Sequence, residues 1–326
     1  MRRLYLDIMK KTQKELNPFK NTDSNKRYYT MDYHMRRVFG KKACKVPIDG
    51  GFTCPNRDGT KGVGGCTFCS ASGSGDFTAG RHLSITEQIS VGAEMMRKKW
   101  KDAVLIPYFQ AYTSTYAPLT VLKSRFEEAL LHPDASGICI ATRPDCISPE
   151  IADYLKDLAK KHFVMVELGL QTTFDETAKK INRCYTYDDF LGAYRMLDGL
   201  FVCIHLINGL PGEDSEMMLE NAKRVASLNP QAVKIHLLHI IKGTRIAEDY
   251  LKGELECMSL EEYVATVCNQ LEVLPPDTVI ERVTGDGAAS TLLAPVWSLK
   301  KLVVQNEIDK LLFARGSFQG KYCKQP

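Results

Sequence analysis

No run of eighteen apolar residues occurs anywhere in these 326 residues, so no segment is long enough to cross a bilayer as a helix. The leading MRRLYLDIMKK carries charge on both sides of a short apolar stretch, without the apolar core or small-residue cleavage site of a secretory signal. Short repeats and low-complexity segments are also missing. Hydrophobic content of 44% and charged content of 25% are ordinary for a globular chain and argue against a mostly disordered one. The expectation is a cytoplasmic protein with no membrane partner, built as one large α/β domain or two ordinary ones.

Eleven cysteines are an odd number, and most lie alone in apolar or mixed segments, Cys139 and Cys203 among them. In a reducing compartment such thiols behave as small buried hydrophobes, and only a local cluster points to metal or catalysis. Charge is unevenly spread. Residues 1–45 hold 13 Lys/Arg and 4 Asp/Glu, while the rest hold 30 and 35. A basic leader on a mildly acidic body is either a nucleic-acid contact or a solvated arm.

From residue 43 the chain alternates strand-like and helix-like segments. Apolar or β-branched runs fall at 43–48, 103–109, 137–142, 163–170, 201–207 and 232–240. Helical spacing fills 84–100, 118–131, 149–161, 174–198 and 214–228. Ser84 with Glu87 reads as a capping box, and Ser148-Pro149-Glu150 places proline at a first helical position. Six near-continuously apolar strands, each followed by a helix, predict a parallel sheet with right-handed crossovers. An open doubly wound sheet and a full or partial β/α barrel both fit. In either, chemistry collects at the carboxyl ends of the strands. Beyond 240 the alternation weakens: a helix-like 259–273, a strand-like 278–283, the turn signal Gly285-Asp286-Gly287 and a helix-like 298–314 read as a C-terminal extension packed on the core.

The most informative segment follows the first strand: GGFTCPNRDGTKGVGGCTFCSASGSGDF, residues 50–77. Cys54, Cys66 and Cys69 stand in the spacing C-x11-C-x2-C on a loop that also holds Gly59, Gly62, Gly64 and Gly65. Three thiolates on one flexible loop can bind one metal centre from one side. Structural zinc wants four closed ligands, and neither His82 nor Cys44 completes a recognised zinc spacing. An iron–sulfur cubane held by three cysteines leaves one iron open to another ligand. The cubane fits the count better.

CPNRDGT…GGCTFCS after the first strand of a β/α series resembles the cluster loop of radical S-adenosylmethionine (SAM) enzymes. The long spacing is similar to the branch that includes the elongator catalytic subunit and the bacterial YhcC/YtqA-type proteins. It departs from the commoner pattern, which has three residues between the first two cysteines. The resemblance runs from about residue 28 to the C-terminus. It implies a partial (β/α)6 barrel over 43–240, preceded by a basic extension over 1–42 and followed by the extension over 241–326. It also implies a 4Fe-4S cluster held by Cys54, Cys66 and Cys69. The open iron would chelate SAM, and one electron from a flavodoxin- or ferredoxin-type donor would cleave it to a 5′-deoxyadenosyl radical.

Further positions match the family's SAM cradle. Gln110-Ala111-Tyr112-Thr113 occupies the place of the family's Gly-Gly-Glu segment at the end of the second strand, so backbone contacts are implied. The third strand ends in Thr142-Arg143-Pro144-Asp145, where some relatives carry a ribose-binding acid that is missing here. Gln171 followed by Ile181-Asn182-Arg183 resembles a Gln/Arg pairing of the coproporphyrinogen-oxidase-like branch, which implies SAM contacts for Gln171 and Arg183. The turn from Gly209 to Glu213 resembles an adenine-packing motif, and relatives often place Asp where His205 stands. His205 is thus a ribose ligand, a group near the substrate, or a core histidine. His236 and His239 lie three apart and face opposite sides of a strand. Lys234 and Lys242 are candidate anion contacts. Cys146 and Cys184 follow strand-end motifs, as hydrogen donors, metal ligands or plain buried thiols. No second cysteine trio argues for an auxiliary cluster.

The chemistry implied is hydrogen abstraction from an unreactive carbon, consistent with no clear acid/base pair in the sequence. Relatives in this branch are linked to tRNA, and those of YtqA type to conversion of a carboxymethylaminomethyl group on the wobble uridine to aminomethyl. The leader's cations, interleaved with Tyr28, Tyr29, Tyr33 and Phe39, are expected to track a phosphate backbone and stack bases. Two alternatives stand beside this reading: the same chemistry on a small molecule or protein, and a metal-stabilised RNA-binding module without catalysis.

Overall fold

The computed structural model describes residues 17–285 and 287–323. The first sixteen residues of the basic leader and Asp286 of the expected turn lie outside the described residues. Seven parallel strands form one curled sheet in the order β1 (Ala43–Ile48), β2 (Val104–Phe109), β3 (Ile138–Thr142), β4 (Val164–Gln171), β5 (Phe201–Asn208), β6 (Ala232–Leu237) and β8 (Val279–Arg282). The short β7 (Ile240–Ile241) pairs antiparallel with β9 (Leu292–Ala294) in a separate ribbon. The architecture is a curled half-barrel, a partial β/α barrel as expected. Its seventh strand corrects the six-strand expectation, because segment 278–283 of the supposed extension pairs with β6 inside the barrel sheet.

Helices cover the convex face, as parallel strands buried on both sides require. They are α2 (Ile85–Lys99), α3 (Leu119–Leu131), α4 (Pro149–Ala159), α6 (Tyr187–Met196), α7 (Ser215–Ala226), α9 (Leu260–Val273) and α10 (Lys301–Ala314), with short α5 (Asp175–Lys180) and α8 (Arg245–Leu251) at the rim. Val46, Ile48, Leu105, Ile140, Val166 and Ile204 point to this layer. The capping box of Ser84 and Glu87 and the Ser148 cap before Pro149 form as the sequence predicts. The expected helix 174–198 is instead two, α5 and α6. Asn182 and Cys184 between them adopt left-handed φ values of 52° and 64°, which no helix continues through.

Alternate strand residues line the concave face, and its lower half is apolar: Ile106, Tyr108, Cys139, Met165, Cys203 and Val279. Here α1 (Met31–Phe39), capped by Thr30, closes the barrel floor with Met35. Tyr29 and Thr30 extend the sheet edge, with Ile280 N donating to Tyr29 O at 2.7 Å. The leader's aromatics are therefore mostly core. Tyr28 and Tyr29 are buried, Phe39 packs on Phe163 and Tyr33 on Tyr29, so these rings do not form the base-stacking platform the sequence suggested. No helix among the described residues is long and apolar enough to cross a membrane.

Candidate cluster and cofactor site

The cysteine loop leaves the carboxyl end of β1 and is tied down by its own backbone and by two asparagines. Arg57 N and Asp58 N donate to Cys54 O, and Cys69 N donates to Cys66 O at 3.0 Å. The Asn56 amide donates to Asn182 O at 2.5 Å and lies 3.7 Å from Cys66 Sγ. In return the Asn182 amide donates to Val63 O at 3.2 Å and Gly65 O at 2.8 Å. Thr67 N donates to Ile181 O at 3.0 Å, completing the clasp between loop and strand-four turn. Asn182 holds the cysteine loop in place, a role the sequence analysis did not assign to it. Its only local signal is that asparagine tolerates left-handed backbone.

Burial raises the Cys66 thiol to about 12, and the Cys69 and Cys54 sulfurs act on it in the same direction. Burial also raises Cys69, with the Arg57 guanidinium opposing. Thiols that raise one another this way favour a cation between them. Three mutually coupled thiols on one clamped loop are a donor set that fits the cubane expected from the sequence.

The segment after β2 closes over the loop. Thr113 N donates to Thr53 O at 3.2 Å, Tyr112 N to Gly73 O at 2.7 Å, and the Tyr112 hydroxyl to Ala71 O at 2.8 Å. Tyr112 has φ 59°, and its ring lies so close to Gly73 that a Cβ there would sit 2.4 Å from a ring carbon. Arg57 and Arg81 both stand over the same ring. The Gln110–Thr113 stretch thus sits against the cluster loop, with Ala111 and Thr113 buried.

At the end of β4 the chain bulges at Gly169 and Gln171, and Gln171 takes φ 64°. The Tyr185 hydroxyl lies 2.9 Å from Gly169 O and 2.8 Å from Gln171 Oε1. Arg183 is fully buried: it donates to Leu170 O at 2.5 Å, Thr172 O at 2.6 Å and twice to Tyr185 O. Those bonds engage all three of its guanidinium nitrogens within the fold. Those four bonds use four of its five N–H groups, and Nη2, which carries the fifth, lies 3.5 Å from Asp175 Oδ1. Arg183 anchors the strand-four turn. Arg143 faces the cysteines instead: it stands on the Tyr185 ring at 4.8 Å, pairs with Asp145, and acts to lower the Cys66 thiol.

Gly209 has φ 84° and opens the turn after β5, beside Asn208, which exchanges two hydrogen bonds with Gln270 at 2.9 and 2.8 Å. Glu213, closing that turn, meets Thr172 and Asn221, and burial raises its carboxyl. Cys146 is half-buried and its thiol is pushed up to about 12 by burial and then Asp145. Cys184 is exposed, with Sγ 3.4 Å from Asn182 Oδ1. His239 leaves the sheet and packs against Gly285.

His205 and Lys234 belong to a polar layer on the concave face, above the apolar floor. Glu167, fully buried, meets the Lys45 ammonium, accepts from Lys234 Nζ at 2.6 Å and the Tyr108 hydroxyl at 2.6 Å, and lies 2.8 Å from His205 Nε2. The His205 contact is close without being a straight hydrogen bond. Glu281 accepts from Lys45 at 2.6 Å and from the Cys203 thiol at 3.2 Å. Burial alone would raise the Glu167 carboxyl, but Lys234 and Lys45 hold it well below its ordinary value. Burial and Lys234 depress His205, and burial with Lys234 and His205 depresses His236 further. Both imidazoles are therefore neutral near pH 7. Cys203, His205 and Glu281 bring three ligand-type atoms together. Two ammoniums already share that carboxylate, which disfavours a metal cation there.

A family model described as the radical SAM superfamily matches residues 54–225, and one described as the Radical_SAM C-terminal domain matches 230–313. The YtqA protein of Bacillus subtilis (strain 168) is 49% identical over 311 residues, covering 95% of this chain and 97% of its own length. A tRNA uridine(34) acetyltransferase of Methanocaldococcus jannaschii is 32% identical over 163 residues, 48% of this chain and 29% of its length. Among solved structures, the archaeal Methanocaldococcus infernus Elp3 with an N-terminal deletion superposes with a TM-score of 0.63 at 18% identity, over 85% of this chain and 64% of that one.

Proposed function

The chain belongs to the radical SAM superfamily, a 4Fe-4S and SAM-dependent enzyme class, and from that premise we propose that it modifies tRNA, converting carboxymethylaminomethyl on the wobble uridine to aminomethyl. When bound, the cluster and SAM supply a carbon-centred radical that removes hydrogen from an unreactive carbon; everything else is the work of the chain. Cys54, Cys66 and Cys69 would hold the cluster, leaving one iron for SAM. The backbone of Gln110–Thr113, the Gln171 side chain and the Gly209 turn line the place where SAM would lie. Arg143 supplies positive charge beside the thiolates. The closed floor beneath the polar layer keeps water from entering the barrel from below.

The observation that carries the reading is the cysteine loop, clamped by Asn56 and Asn182 at the carboxyl end of the sheet, with its Cys66 and Cys69 thiols raised by burial and by the neighbouring cysteine sulfurs. Support for tRNA is coarser. A partial match to a protein named tRNA uridine(34) acetyltransferase and the basic leader both point that way.

The deciding experiment is anaerobic reconstitution, dithionite reduction with SAM, and quantification of 5′-deoxyadenosine with and without tRNA carrying carboxymethylaminomethyluridine. Release of 5′-deoxyadenosine together with aminomethyluridine supports the proposal. SAM cleavage that leaves this nucleoside untouched would turn the assignment toward a small molecule or protein. A zinc-loaded protein that leaves SAM intact would remove the enzyme reading.

A further inference from the structure

The polar layer of the barrel lumen contains none of the three cluster cysteines and gathers the ion pairs of Lys45, Glu167, His205, Lys234 and Glu281. We infer that His205 is the proton acceptor of the substrate half-reaction, taking the proton from an ammonium nitrogen next to the carbon that loses hydrogen, with Glu167 balancing the charge. The inference rests on the carboxymethylaminomethyl reading of the substrate.

Geometry argues for it first. His205 Nε2 faces Glu167 at 2.8 Å, while Nδ1 has no partner among the described residues and 15% of the side chain stays open. A carboxylate this close to the ring compensates the charge of the imidazolium that forms when the ring takes a proton. Charged and titratable groups surround the ring on every side: Glu167 from β4, Lys234 and His236 from β6, Glu281 from β8 and Lys45 from β1. Burial keeps the nearby Cys203 thiol and Tyr108 phenol protonated. The imidazole is depressed by burial and by Lys234, so it stands as free base at neutral pH.

Chemistry argues for it next. A hydrogen beside an ammonium is hard to remove, because the nitrogen has no lone pair to stabilise the carbon radical. Transfer of the N–H proton to Nδ1 breaks that N–H bond, leaves its electron pair on the substrate nitrogen and forms an imidazolium against Glu167. No electron moves in the step. The same floor suits the rest of the group. Lys45 donates to Glu167 and Glu281 and retains a third N–H for a substrate carboxylate. Its positive charge also lowers the pKa of any second ammonium brought beside it.

The test is the pH profile of kcat on tRNA carrying carboxymethylaminomethyluridine, at saturating SAM, for the wild type and His205→Ala. Wild-type kcat should be level through neutral pH and fall only on the acid side of the ordinary imidazole range, where the depressed His205 takes up a proton. In His205→Ala, kcat at pH 7 should drop by about 10²- to 10⁴-fold, climb tenfold per pH unit, and recover in part with added imidazole. A variant profile that superimposes on the wild type, with no response to imidazole, overturns the inference. If the variant does not fold, the wild-type profile still decides: a kcat rising tenfold per unit from pH 6 to 8 shows no internal base and overturns it. A wild type that cleaves SAM but never alters the nucleoside removes the substrate reading, and this inference falls with it.

Discussion

Lys45 Nζ lies 2.6 Å from Glu281 Oε1, joining β1 and β8, the two edge strands of an open sheet that share no ladder hydrogen bond. The ion pair closes side to side what the backbone leaves open. Below it, α1 packs on both of these edges. Breaking one member of a buried pair leaves the other charge uncompensated.

Lys45→Met is therefore expected to destabilise the protein by about 3 kcal/mol in urea unfolding, and Glu281→Gln by a similar amount. The double variant should cost less than the two singles together, by about 1–3 kcal/mol. Strict additivity would mean that the pair does not couple the edges.

Cys66→Ala should lose the cluster altogether. Iron per chain after reconstitution is expected to fall from about four toward zero while the far-ultraviolet circular dichroism stays unchanged. Retention of a full iron content would move a cluster ligand outside the Cys54, Cys66 and Cys69 set.

Asn182→Ala removes two hydrogen bonds to the cysteine loop and places alanine at φ 52°. Loss of about 2 kcal/mol is expected, with faster proteolysis between residues 54 and 69. Asn182→Gly relieves the backbone strain without restoring the amide, so it should recover stability and leave the loop just as easily cut. Equal protease resistance in all three proteins would mean that the clasp does not hold the loop.

Burial lowers His239 to about 4, and His236 and His205 are also depressed. With folded values below the unfolded one, the unfolded chain binds protons first, so stability falls as pH drops below about 6.5. For His239 alone the loss reaches about 3 kcal/mol by pH 4. Calorimetric Tm should decline from pH 7 to 5, and His239→Leu should flatten part of that slope. An unchanged slope in the variant would exclude His239 as a source.

Removal of residues 1–16 takes five Lys/Arg and two Asp/Glu from the leader and leaves the described fold complete. Removal through residue 39 strips Tyr29 and Met35 from the barrel floor and is expected to abolish folding. If the leader binds tRNA, the shorter deletion lowers the slope of log affinity against log salt by nearly one for each phosphate the leader neutralises. An unchanged slope would assign tRNA binding to the barrel rim.

Much of this molecule was legible in the sequence, because its signals are local. Continuous apolar runs marked six of the seven sheet strands to within one residue at their starts, since strands buried on both faces are apolar at most positions. Three cysteines on a glycine-rich loop announced a cluster, because the ligands of such a centre can come from one short segment. The arrangements that only the tertiary structure decided join residues far apart in sequence. Segment 278–283 looked like a strand, but only its pairing with β6 made it part of the barrel. Arg183 reads as a ligand-binding cation, and only the fold shows its guanidinium bound to the carbonyls of Leu170, Thr172 and Tyr185. Lys45, Glu167, His205, Lys234 and Glu281 lie on five strands, and nothing in their separate neighbourhoods says that they meet. Apolar periodicity is written into each segment; the meeting of charges across a lumen is set by register and curvature, which exist only once the sheet has closed.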